Sequence, residues 1–158
     1  MKTKCTDTSI FDVAKYILEL CPSGMTTRKL QKLAFFCQGY YLAIFKSPLF
    51  KEEFQAWQYG PVCYELFKTH QGRYTITADQ VKGDSGNLIA NQKALVRAVT
   101  ERLGDYSGSQ LSDLTHQEDT PWWSVRKEHN LGATDGSQEV IDKTLLEAYF
   151  TSLLGKDK

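Results

Sequence analysis

The sequence predicts a mainly α-helical fold: a single compact domain around a central buried helix, with at most a small two- or three-stranded β element. Three observations carry this. The stretch from about Thr27 to Phe45 is apolar on most sides at helical spacing. Helix-start signals recur along the chain, at Ser9, at Ser107-x-x-Gln110 and at Thr120-Pro121. Strand-like segments are short and few. A chain of 158 residues with 41% hydrophobic and 24% charged residues is long enough to bury a core and too apolar to be disordered. The reading is one domain over residues 1–158, with its core at about 9–155.

The first helix runs from Ser9 to about Leu20. Ser9 is the N-cap, Asp12 sits in the acid-favouring first turn, and Pro22 and Gly24 follow the end. Its apolar residues Ile10, Val13, Ala14, Ile17 and Leu18 make one face. The second helix begins at Thr26 or Thr27. Leu30, Leu33, Ala34, Cys37, Tyr40, Tyr41 and Ile44 form its stripe, and Phe35, Phe36, Leu42 and Ala43 extend it round the other faces. A helix apolar on most sides is surrounded by other elements.

Phe50 to Trp57 carries a weak strand signal. Pro61 reads as the first residue of a short helix reaching about His70 and closed by Gly72. Residues 72–86 form a loop with at most one short strand. A helix follows from Asn87 or Asn91 to Leu103, capped by Gly104, and another from Ser107 to about His116. Thr120-Pro121 opens a short helix carrying Trp122, Trp123 and Val125. Asn130 to Gln138 is a loop, Val140 and Ile141 a short strand, and Asp142 caps the last helix.

Charge and cysteine content narrow the function classes. Nineteen basic residues balance nineteen acidic ones, so no net field draws nucleic acid. Arg28, Lys29 and Lys32 form a small basic cluster, read as a solvated face. Cys5, Cys21, Cys37 and Cys63 make no C-x-x-C pair, and Cys37 and Cys63 read as core hydrophobes of a reduced compartment. The first ten residues are polar, and no apolar run is long enough to span a bilayer. The expectation is a cytoplasmic protein without membrane, nucleic-acid, cofactor or metal partners.

No phosphate loop, H-E-x-x-H or G-x-S-x-G is present. His116 with Glu118 or Asp119 is the one candidate acid–base or metal pair. It lacks further ligands, and a histidine at a helix C-terminus is also explained as a cation meeting the dipole. Trp57, Tyr59, Trp122 and Trp123 suit a binding surface better, because aromatic residues dominate interface hot spots. Adjacent tryptophans on a helix point about 100° apart, so Trp122 and Trp123 do not share one pocket easily.

Three segments taken together carry a family resemblance. They are Lys29-Leu30-Gln31-Lys32-Leu33-Ala34-Phe35-Phe36-Cys37-Gln38-Gly39-Tyr40-Tyr41, then Phe54-Gln55-Ala56-Trp57-Gln58-Tyr59-Gly60-Pro61-Val62, then Leu114-Thr115-His116-Gln117-Glu118-Asp119-Thr120-Pro121-Trp122. In this order and spacing the chain resembles the Panacea antitoxin domain family, the SocA-like, phage-associated GepA group. The third segment departs from the family pattern: Asp119 and Thr120 stand between the Glu and the Pro, where one residue is usual.

The resemblance implies an antitoxin of a bacterial or prophage toxin–antitoxin system that neutralises a cognate protein toxin by direct binding. The alternative it implies is a proteolytic adaptor delivering a toxin to the ClpXP protease. A small enzyme using His116 and a nearby carboxylate is the further alternative from the residues themselves. Polar and aromatic groups that a core does not need, Gln31, Lys32, Gln38, Tyr59, Gly60, His116 and Trp122, are the expected partner-binding residues. The competing reading is internal hydrogen bonding, in which a buried Gln satisfies a loop backbone.

Overall fold

The computed structural model describes residues 8–156. Cys5 lies outside them. The described chain forms helix α1 (Ile10–Leu20), strand β1 (Met25–Thr26), helix α2 (Thr27–Phe45), strands β2 (Phe54–Trp57) and β3 (Gly60–Cys63), helix α3 (Tyr64–His70), strand β4 (Thr75–Ile76), helices α4 (Ala90–Leu103), α5 (Gly108–His116) and α6 (Pro121–Glu128), strand β5 (Val140–Ile141) and helix α7 (Lys143–Lys156). The fold is mainly α, as expected. Its strands form two small antiparallel sheets, β1–β4 and β3–β2–β5.

Helix α2 is the axis. Every residue from Leu30 to Gly39 is buried, and α1, α4, α5, α7 and β3 all pack on it. A cluster of aromatic rings joins it to α7 and β2. Phe35 meets Phe54 at 5.2 Å and Phe150 at 5.9 Å, and Tyr40 meets Phe150 at 4.8 Å. Gly39 makes that approach possible, since a Cβ there would run into the Phe150 ring.

Local signals placed most helix starts correctly. Ser9 and Asp12 form a capping box, as do Ser107 and Gln110. The Thr120 hydroxyl accepts the Trp123 N–H with Pro121 in the first turn, and the Asp142 carboxylate accepts the Thr144 N–H. Gly104 ends α4, although in a right-handed conformation with φ −64°.

Pro61 is a correction. It does not open a helix. It lies in β3, paired with Ala56 across a hairpin, and α3 begins at Tyr64. β3 is the outer strand of its sheet, where a proline costs no ladder bond. Ile44 also departs from the expected stripe: it is 49% exposed. Among the described residues no helix is long and apolar enough to cross a membrane.

Candidate functional site

The three motif segments meet at one place, the β2–β3 hairpin. Trp57 pairs with Gly60, so Gln58 and Tyr59 form the tip. Side chains from three helices then hydrogen-bond to the hairpin backbone in sequence. Arg126 of α6 donates to Ala56 O at 2.9 Å. Trp122 of α6 donates through Nε1 to Trp57 O. His116 at the end of α5 bonds the backbone of Tyr59. Lys32 of α2 donates to Pro61 O at 3.2 Å. Gln31 of α2 brackets Cys63, accepting its N–H at 2.9 Å and donating to its carbonyl at 3.1 Å.

Three of the expected contact residues lie inside the fold. Gln31 and Lys32 are each 2% exposed and Gln38 is fully buried, so no partner on the surface of this conformation touches them. Gln31 also bonds the His70 ring at 3.0 Å. Gln38 serves a different loop: it accepts the Leu49 N–H at 2.7 Å and donates to Phe50 O at 2.8 Å. These glutamines satisfy backbone that would otherwise be buried unpaired. The solvated-face reading of the basic cluster also fails. Lys32 is interior and Lys29 donates to Gly104 O, which leaves Arg28 exposed.

Lys32 is the unusual group. Among the described residues it forms no ion pair, and burial, reinforced by repulsion from Arg28, pushes its ammonium down to about 7. Gly60 seals it in. With φ +122°, Gly60 holds a left-handed conformation, and a Cβ there would lie 2.7 Å from Lys32 Cε and 3.2 Å from Thr115 Oγ1.

His116 is held below the ordinary imidazole range, first by burial and then by repulsion from Lys32 and Arg126. That shift works against a cation at the α5 dipole. Its ring stacks on Trp122 at 4.2 Å and 27°, and its Nε2 is buried without a partner. Trp122 is buried and Trp123 half-buried, so the pair does split as the helical angle requires. The extra residue before Thr120 is absorbed by Asp119, which turns left-handed with φ +70°. Asp tolerates that conformation better than most residues.

Tyr59 points the other way. It is 60% exposed, and the Arg28 guanidinium stands 5.7 Å from its ring. Beside it Trp57 meets Phe67 at 4.9 Å, and Tyr64 stacks on Phe67 at 6.2 Å. Tyr74, also strongly exposed, lines a pocket with Arg28. The surface round the hairpin tip is thus aromatic with a basic edge, while the residues beneath it are committed to holding it. Sequence reasoning missed Arg126, Tyr64 and Phe67. An arginine following Trp122-Trp123-Ser124-Val125 was the one available sign of a buried donor.

A family model described as antitoxin SocA-like, Panacea domain, matches residues 30–123. That span includes the central helix from Leu30 onward, the whole hairpin and the His116–Trp122 break. The chain belongs to the Panacea family. Membership supports a general antitoxin role for this Panacea protein and, with it, binding to a protein toxin. No curated protein and no solved structure matches it. Among the described residues no group of three or more His, Cys, Asp and Glu is placed to hold a metal ion.

Proposed function

We propose that this Panacea protein neutralises a cognate toxin by direct binding, and that the β2–β3 hairpin tip is the contact. One observation carries the reading. Lys32, His116, Trp122 and Arg126 all act on the hairpin from beneath, and the residue they leave outward is an exposed tyrosine beside an arginine. A hairpin whose backbone is fixed at Ala56, Trp57, Tyr59, Pro61 and Cys63 loses little conformational freedom on binding, which raises the affinity obtained from each contact. Tyrosine and arginine are the side chains that most often dominate such contacts. The active unit in this reading is the single domain over residues 1–158, acting in the cytoplasm without catalysis. His116 is a positioning residue: its ring is committed to Trp122 and the Tyr59 backbone.

The test is a binding titration of Tyr59→Ala and Arg28→Glu against the cognate toxin, with a thermal melt of each variant. Loss of one hot spot costs about 2 kcal/mol, roughly thirtyfold in affinity. The expected result is that loss with an unchanged melt. Unchanged affinity in both folded variants would remove the hairpin tip as the contact. Running the neutralisation assay with purified components and no protease separates blocking, the proposed mode, from delivery to a protease.

A further inference from the structure

A second surface lies along α2 from the hairpin. Ile44 is twelve residues beyond Lys32, about 18 Å along the helix. There α2, α4 and α7 leave an open groove of about 430 Å³. Helix α4 turns one continuous stripe into it: Asn91, Ala94, Leu95, Ala98, Val99 and Arg102, the three- and four-residue spacing that normally seats a helix against a neighbour. Leu95 and Val99 of that stripe are buried in the core, while Ala94 and Ala98 beside them are exposed, so the outer edge of the stripe has no neighbour. Across the groove stand Ile44 and Phe45, both exposed, and Leu154 of α7.

The shape and the charge select the occupant. Glu147 pairs with Lys46 and Phe150 packs at Gly39, so α7 runs antiparallel to α2. Lys29 reaches Gly104 O and Tyr40, Ile44 and Leu95 share the groove, so α4 does too. Two parallel helices over a third leave the fourth position of a helical bundle empty, and small residues at Ala94 and Ala98 let a helix approach closely. The stripe from Asn91 to Arg102 is about 17 Å long, three helical turns. Arg102 is the charged member of the lining, and among the described residues it forms no ion pair. The first seven residues of this chain, Met1-Lys2-Thr3-Lys4-Cys5-Thr6-Asp7, carry no apolar stripe and do not suit the groove.

We infer that the α2–α4–α7 groove is a docking site for an amphipathic helix of a partner protein, about three turns long, with an apolar face for Ala94, Ala98 and Ile44 and a carboxylate opposite Arg102. The site stands independently of the hairpin.

The probe is a pair of labelled synthetic amphipathic helices with the same leucine stripe, one bearing glutamates and the other lysines on its polar face. Each is titrated by fluorescence anisotropy against the wild type, Arg102→Glu and Ala98→Glu, with a melt of every variant and light scattering of the free protein. The expected result is at least tenfold tighter binding of the acidic helix to the wild type. Arg102→Glu reverses that order, and Ala98→Glu abolishes binding with its melt unchanged. Ile44→Glu, at an exposed site on the opposite wall, gives the same loss if Ala98→Glu proves unstable. Binding of neither helix, equal binding of both, or indifference to Ala98→Glu and Ile44→Glu overturns the inference. So does a dimer of the free protein that Ala98→Glu dissociates, since a second copy then owns the groove. None of these outcomes bears on Tyr59, so failure here leaves the hairpin reading to its own test.

Discussion

Replacing Lys32 with methionine keeps the length of the side chain and removes its charge, and so isolates the cost of burying that charge. In the unfolded chain the ammonium titrates at 10.5; in the fold it titrates at about 7. Below the lower value both states carry the proton, and the folded protein bears the whole penalty. Between the two values the unfolded chain binds a proton that the folded one does not, so stability rises with pH. From about pH 6.5 to about pH 8.5 this linkage adds about 2 kcal/mol to the unfolding free energy.

Other groups titrate at the edges of this window, and they do so in both proteins, so the difference between the two isolates Lys32. Burial raises the Cys37 and Cys63 thiols, so their contribution is present at lower pH and is lost only as the pH climbs through the ordinary thiol range. His70 and His116 are lowered, and their contribution is lost only as the pH falls below the ordinary imidazole range. Urea unfolding of wild type and Lys32→Met at the two pH values gives the difference directly. The wild type gains about 2 kcal/mol more than the variant. Parallel gains in both proteins would show that the Lys32 charge is solvated and that the sealed pocket under Gly60 does not exist.

Two further substitutions probe the supports of the loop and the hairpin. Gln38→Leu strands the Leu49 N–H and the Phe50 carbonyl inside the protein and should cost about 2 to 4 kcal/mol in a denaturant titration. Gly60→Ala places a Cβ 2.7 Å from Lys32 Cε on a left-handed backbone and should cost about 1 to 3 kcal/mol. Adding Lys32→Ala to it should return only part of that loss, because the clash goes and the backbone strain stays.

What could be read before the structure was what is local. The capping pairs Ser9 with Asp12 and Ser107 with Gln110 lie within four residues, and the all-round apolar character of α2 requires no knowledge of its neighbours. Pro61 was misread because the same Gly-Pro pair suits a helix start and an outer strand, and the pairing with Ala56 decides between them. The polar residues on α2 were visible as anomalies. Whether they served a partner or a loop depended on backbone groups 11 to 32 positions away in sequence, Leu49 for Gln38 and Cys63 for Gln31. Lys32 looked solvated because nothing in its own segment shows that a hairpin covers it. The groove was half legible: Ile44 belonged to the apolar stripe of α2, but its exposure follows from where α4 and α7 end up.

The bonds from α2 to β3 also bear on how a partner can be recognised. β3 is an outer strand, and an outer strand normally offers unpaired N–H and C=O groups to any chain that can add to the sheet. Here those groups are taken. The Gln31 amide meets both the N–H and the carbonyl of Cys63, as a peptide unit of a further strand would, and Lys32 takes the carbonyl of Pro61. The proline itself has no N–H to offer. The other side of the sheet ends in β5, two residues long, which gives an added strand little to pair with. Recognition by strand addition at β3 would require breaking the bonds from Gln31 and Lys32 and exposing the buried amine. Contact through outward side chains at the tip requires neither. In the proposed reading the polar residues on the central helix act on binding indirectly: they close the edge of the sheet and leave the tip for contact. Slow hydrogen exchange at the Cys63 amide, on the timescale of the core helix rather than of surface loops, is the expected sign of that closure, and exchange at loop rates would contradict it.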